Sequence, residues 1–260
     1  MGTALVTGAT AGLGLEFVWQ LATARHDVVL VARDADRLEE VARQVRAAAG
    51  VHVEMLPADL ADPDDLERVA ARLRAVGDGD GPDAPRPRPV GLLVNNAGFA
   101  TAQPFVRGDL DVELRALDVM VRAVVVLSHA AAGQMTARGR GAILNVASVA
   151  ALTAGGSYAA AKAYVRSFTE GLAVELKDTG VTATVVCPGF VHTEFHDRAG
   201  LDMGQIPELG WLEAPEVVAE ALADVRRGAV ISTPSVRYKA ASALLRVLPR
   251  SAVRAVGKYR

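Results

Sequence analysis

The chain has 260 residues, enough to bury a substantial core, and an α/β sheet protein of this length is commonly one domain. Its 28 basic and 30 acidic residues leave a formal net charge of -2, which gives no electrostatic reason to expect nucleic acid, whose phosphates demand a basic surface. A single cysteine, Cys187, excludes an internal disulfide. An N-terminus that enters the apolar run TALVT without a charged leader, and no run of roughly 18 apolar residues, read as a soluble cytoplasmic protein.

Short β-branched runs recur at 3–7, 28–32, 51–56, 90–94, 142–147, 181–187 and 229–233. Their near-continuous apolarity suits strands buried on both faces of a parallel sheet. Between them lie segments of helical spacing. Residues 36–48 put Leu38, Val41, Ala42 and Val45 on one stripe, and residues 64–76 repeat the pattern after Pro63. Strand alternating with helix predicts right-handed crossovers and a doubly wound, mostly parallel seven-stranded sheet with helices on both faces. The low-complexity segment 77–89, rich in Gly, Pro and charge, reads as a surface insertion rather than a domain boundary.

The first strand runs into TGATAGLG, with Gly8, Gly12 and Gly14 ahead of a helical stretch. Such a turn lets the backbone approach a pyrophosphate at the positive end of a helix, although three glycines also suit an ordinary tight turn. The second strand ends VLVARDAD. Ala32 stands where an acid would meet the ribose 2′-hydroxyl of NAD(H), and Arg33 follows, which favours the 2′-phosphate of NADP(H) and leaves NAD(H) possible. The competing reading makes Arg33 a surface arginine and Asp34 a helix cap.

The chain has 24 arginines and four lysines, so a lysine at position 162, four residues after Tyr158, is a departure from its own composition. On a helix over 158–177 the two share a face. A free phenol has a pKa of about 10, and an adjacent ammonium favours the phenolate. TGATAGLG, NNAG (95–98), Ser148, YAAAK (158–162) and PGFVHT (188–193), in that order, resemble the short-chain dehydrogenase/reductase family over about residues 1–195.

The resemblance implies a single Rossmann-type domain and hydride transfer between a nicotinamide and a carbonyl or secondary alcohol, without a metal. Tyr158 would be the acid/base, Lys162 would lower its pKa and hold the nicotinamide ribose, and Ser148 would bind the substrate oxygen. Gly8, Thr10, Gly12, Leu13 and Gly14 would cradle the dinucleotide, with Arg33 at its 2′-phosphate. Asp59 and Leu60 would lie at the adenine, Asn95, Ala97 and Gly98 beside the cofactor, and Pro188, Gly189, Val191 and Thr193 over the carboxamide. A homo-oligomer, dimer or tetramer, through the helices at 110–137 and 158–178 is also implied.

Two features depart from the family pattern. Met120 in LDVMVRA stands where the family usually carries an asparagine of the proton relay, and Ser148 and Tyr158 are closer together than is usual. These departures motivate an alternative, a catalytically weak NADP(H)-binding sensor or scaffold. HTEFH, with His192 and His196, lacks an evident third metal ligand. Phe195, Leu201, Met203, Ile206 and Trp211 in 194–212 suit an apolar lid over a small to medium hydrophobic substrate, or equally a segment that packs onto its own domain. The tail, 235–260, has seven basic residues and no acid, and its apolar set Ala240, Ala241, Leu244, Leu245 and Leu248 predicts a helix docked on its own protein, with a partner subunit or an anionic membrane as the other candidate surfaces.

Overall fold

The structure, a computed structural model, describes residues 2–75, 87–101, 103–195 and 207–256. Most of the insertion 77–89, the central part of the lid with His196, Leu201, Met203 and Ile206, and the last four residues of the tail lie outside the described residues.

Seven strands form one parallel sheet: β1 (Thr3–Thr7), β2 (Asp27–Ala32), β3 (Val53–Pro57), β4 (Val90–Asn95), β5 (Gly141–Val146), β6 (Val181–Val186) and the short β9 (Ile231–Ser232). Their order is β3-β2-β1-β4-β5-β6-β9, so the direction of winding reverses between β1 and β4. A crevice at the carboxyl ends of those two strands is the expected ligand position in such a sheet. Central strands are buried along almost their whole length, as their unbroken apolar runs require.

Helices α1 (Gly12–Thr23) and α2 (Ala35–Ala49) cover one face of the sheet. Asp34 caps α2 by accepting from the Arg37 N–H, and Gly50, at φ 64°, ends it in the left-handed conformation. Leu38, Val41, Ala42 and Val45 are buried, as predicted, each large aliphatic side chain contributing about 1.5–3 kcal/mol. On the other face, α3 (Pro63–Arg74) starts at Pro63 with the Asp62 carboxylate accepting from the Asp64 and Asp65 N–H groups.

Beside α3 runs a long helical stretch: α4 (Leu110–Leu117), one π-helical turn (Asp118–Arg122) and α5 (Ala123–Ala137). Charges interrupt its sequence, yet by length and a mean hydropathy of 1.5 it is the one described helix apolar enough to cross a membrane. Leu127, Ala130, Ala131 and Met135 of α5 are instead buried in the core with α3 and the sheet. Leu110, Leu114 and Leu117 leave an apolar stripe of α4 exposed.

α6 (Gly156–Glu175) follows β5, and α7 (Ala214–Arg226) packs on α1. The two-residue strands β7 (Phe190–Val191) and β8 (Trp211–Leu212) pair in parallel outside the main sheet, a pairing the sequence does not announce. The tail forms α8 (Val236–Val247) and, after Pro249, α9 (Arg250–Val256). α8 lies on its own chain, but through Tyr238, Ser242 and Leu245. Of the predicted docking set, Ala240, Ala241 and Leu244 are exposed, while Leu245 and Leu248 are half-buried.

Candidate active site

The glycine turn after β1 is fixed by backbone geometry. Gly8 and Gly12 have φ of 67° and 51°, a region that strains other residues. A Cβ on Gly8 would stand 2.8 Å from Asn96 Nδ2, and one on Gly14 would collide with the Gly8 carbonyl oxygen. Thr7 Oγ1 accepts from the Asn96 and Ala97 N–H groups at 2.9 and 3.0 Å, which clamps this turn to the NNAG segment after β4. Ala11 at the N-cap of α1 supplies no side-chain cap, and its first turn has no acid. The first N–H groups of the helix therefore keep their capacity for an anion, and the turn fits a pyrophosphate. Thr10 is buried, and Leu13 packs against Val191, Leu212 and Val217.

Lys162 is 5% exposed, and its ammonium donates to the Val146 carbonyl at the end of β5, at 2.8 Å. Burial pulls its pKa from 10.5 down to about 8. Nζ lies 5.7 Å from the centre of the Tyr158 ring. A Cβ on Gly98 would lie 3.5 Å from the same Nζ, so the lysine borders NNAG as well. Ser148, just beyond β5, caps a 3-10 turn (Val149–Leu152): Oγ accepts from Ala150 N–H at 3.1 Å and donates to the Pro188 carbonyl at 3.4 Å. Ser148, Tyr158 and Lys162 thus all belong to the carboxyl end of β5 and the first turns of α6.

A buried polar chain holds α6 in place. Asn95 Nδ2 donates to Asn145 Oδ1 at 2.9 Å and Ser128 Oγ at 3.1 Å, and Asn145 Nδ2 donates to Thr169 Oγ1 at 2.9 Å. β4, β5, α5 and α6 are joined by side chains with their hydrogen bonds met, which favours one arrangement over sliding alternatives. Asn95 lies in this brace.

Toward the other end of the crevice, Arg33 is exposed at the end of β2, next to the capping Asp34. Asp59 pairs with Arg115 of α4 and also accepts from the Ala61 N–H. Its neighbour Leu60 is buried, and Ala97 packs on the core of that face. Arg115 gives no motif in the sequence and comes from 56 residues away.

Residues 188–195 bridge the two halves. Pro188 and Val191 are buried. A Cβ on Gly12 would lie 3.3 Å from Thr193 Cβ, Glu194 pairs with Arg37 at 2.9 Å, and the Phe195 ring stands 5.8 Å from that of Tyr158. The segment runs from the glycine turn to the tyrosine. His192 stacks on Trp211 at 4.5 Å and faces Glu208 at 3.3 Å, and no metal-holding cluster occurs among the described residues.

Tyr238 of α8 anchors this segment. Its hydroxyl donates to the Gly210 carbonyl at 2.6 Å and accepts from the Phe190 N–H at 3.1 Å, while its ring fills the space a side chain at Gly189 would need. Gly189→Ala is expected to expel the ring and destabilise the protein by about 1–3 kcal/mol in urea unfolding, the usual cost of overpacking. Adding Tyr238→Ala should then cost less than it does in the parent. Additive losses would refute the steric coupling.

Two residues near the start of α6 complete these surroundings, Met120, which the sequence marks as a departure from the family motif, and Glu113, which no motif announces. Met120 is 2% exposed within the π-helical turn and packs with Ala116, Ala161, Phe99 and Tyr158; a Cβ on Gly98 would meet its Sδ at 3.4 Å. π turns often mark functional positions in long helices. Glu113 is buried at the start of α4, and the hydrogen bond with Ser157, residue-adjacent to Tyr158, holds its carboxyl below the usual range against the effect of burial. Gln103 Nε2 also donates to it at 3.2 Å.

A family model for short chain dehydrogenases matches residues 2–203. Galactitol 2-dehydrogenase (L-tagatose-forming) of Cereibacter sphaeroides is 32% identical over 81% of this chain and 78% of its own. A short-chain dehydrogenase of Sphingobium yanoikuyae in complex with NADPH superposes with a TM-score of 0.83 at 32% identity, over 100% of this chain and 96% of that one. The bulky-bulky ketone specific alcohol dehydrogenase of Comamonas testosteroni does so with a TM-score of 0.78 at 27% identity, over 96% of each.

Proposed function

The chain belongs to the short-chain dehydrogenase/reductase family and is an oxidoreductase of CH–OH and C=O groups, and from that premise we propose that it uses NADP(H) to interconvert a hydrophobic carbonyl and its secondary alcohol. The observation that carries the proposal is the buried Lys162 ammonium, held on the Val146 carbonyl beside the Tyr158 ring at the end of the crevice. A buried ammonium with one protein hydrogen bond retains donors for a ribose hydroxyl. The uncapped N-terminus of α1 suits the pyrophosphate, and Arg33 suits a 2′-phosphate.

A nicotinamide bound there supplies or accepts the hydride. Ser148 Oγ and the Tyr158 hydroxyl hold the substrate oxygen. In the reducing direction Tyr158 gives that oxygen its proton, and the Lys162 charge stabilises the phenolate left behind. Phe99, Met120 and Phe195 around the tyrosine favour an apolar substrate. The second reading, an NADP(H) binder of weak activity, rests on Met120: a thioether is at best a weak acceptor and is a poor substitute for an amide in a proton relay.

NADPH consumption across a panel of ketones and aldehydes tests the proposal, and binding without turnover over a broad panel would move it to the second reading. Arg33→Ala should weaken NADPH by about ten- to a hundred-fold, the loss of one or two charge-assisted hydrogen bonds, and leave NADH unchanged. Equal losses for both nucleotides would remove the 2′-phosphate assignment.

A further inference from the structure

The tail helix has two unlike faces. Tyr238, Ser242 and Leu245 face the protein, with Ser242 only 6% exposed. At 100° per residue the opposite side carries Val236, Ala240, Ala243, Leu244 and Val247. All five are exposed, Val236 and Val247 at 79% and 78%. The two hydroxyl-bearing side chains thus point inward together with Leu245, and the other aliphatic ones outward, unlike an ordinary docked surface helix. Arg237 flanks the outward stripe on one side, and Lys239 and Arg246 on the other. The Arg237 guanidinium reaches the Leu209 carbonyl, which places Leu209, itself 73% exposed, beside the start of the stripe.

Charge is segregated in the same way. Residues 235–260 hold seven basic residues and no acid, whereas residues 1–234 hold 21 basic and 30 acidic ones. The acidic excess of the body and the basic excess of the tail favour approach to a negative plane through the tail's face. Lys239 is partly neutralised by Glu220 at 2.7 Å, but Arg246, Arg250 and Arg254 are exposed.

We propose that the outward face of Val236–Val247 seats the protein on an anionic lipid surface, Val236, Leu244 and Val247 entering the interface and the flanking arginines meeting the headgroups. An apolar stripe bordered by basic side chains is the layout of interfacial helices, in which long cationic stems reach from the stripe to the headgroups. A planar lipid surface also demands no groove from the helix, which has its inner face already docked. The inference is independent of the oxidoreductase reading.

Sedimentation of the full-length protein with phosphatidylcholine vesicles, with and without phosphatidylglycerol, tests it. Partition should need the anionic lipid and be reversed at about 1 M salt, where the Debye length falls to ~3 Å. One basic residue near such a surface is worth about five-fold, so Arg246→Gln with Arg250→Gln should lower partition about 25-fold. Val236→Asp with Val247→Asp should abolish it, while the urea unfolding midpoint and the far-ultraviolet circular dichroism, which check folding, stay within a few per cent of the parent's in both variants. Equal partition on neutral vesicles, none at all, or variants that partition like the parent would overturn the proposal. So would a change of oligomeric state in the aspartate variant without vesicle binding by the parent, since the face would then join copies of this chain.

Discussion

Tyr158→Phe is expected to reduce turnover by about a hundred- to ten-thousand-fold, the range of a lost general acid/base, with NADPH affinity within about two-fold of the parent. The ring packs with Ala116, Met120, Ala161, Phe99 and Val121, and phenylalanine keeps all of that surface. Only the hydroxyl disappears, so stability should change by no more than about 1 kcal/mol. Single-turnover measurements with saturating NADPH isolate the chemical step. A variant that retains turnover would exclude Tyr158 as the proton donor, whereas one that loses NADPH binding would make the hydroxyl a structural group. The weak-binder reading predicts a different pattern, in which the parent is already as slow as the variant.

The fold was legible because parallel strands buried on both faces must be apolar throughout, and the runs at 3–7, 90–94 and 181–187 match β1, β4 and β6 to within a residue or so. The helix stripes of α2 and α3 follow from the same cause. The local part of the site was legible too: Gly8 and Gly12 need positive φ, and Tyr158 and Lys162 share one helical face. What remained hidden depends on partners remote in the chain. Asp59 meets Arg115, Arg37 meets Glu194, and Gly189 makes room for Tyr238, each pair brought together only by the crossovers and the lid base.

The tail shows a different limit. Its apolar residues have helical spacing, and the rule that such a stripe faces the core placed Ala240, Ala241 and Leu244 inward. Tyr238 takes the inward position because its hydroxyl satisfies both Phe190 N–H and the Gly210 carbonyl, which no aliphatic side chain could do. Periodicity identifies a face, and hydrogen-bond demand at the docking site decides which way it turns. Met120 is a related case: a hydrophobe in a polar motif fills the π-helical turn beside the lysine, and its neighbours Phe99 and Ala161 make the change a packed one rather than a void.

Lys162→Met is expected to give an inactive protein that is more stable than the parent at neutral pH. The folded chain holds the ammonium at a pKa of about 8 instead of 10.5 because it is buried. A lowered value for a base means the charged form is disfavoured by folding, at a cost of about 3 kcal/mol at pH 7. Between pH 8 and 10.5 the unfolded chain binds more protons than the folded one, so the parent gains stability as pH rises through that window. Methionine removes the cost but leaves the Val146 carbonyl without its donor, worth about 1–2 kcal/mol, and the first effect wins narrowly at pH 7. The variant's advantage should therefore shrink by about 2 kcal/mol on going to pH 10 and change sign there. Urea unfolding of both proteins at the two pH values reads this directly. A stability difference that is flat with pH would mean that folding does not shift the Lys162 pKa, and the burial cost assigned to its ammonium would go with it.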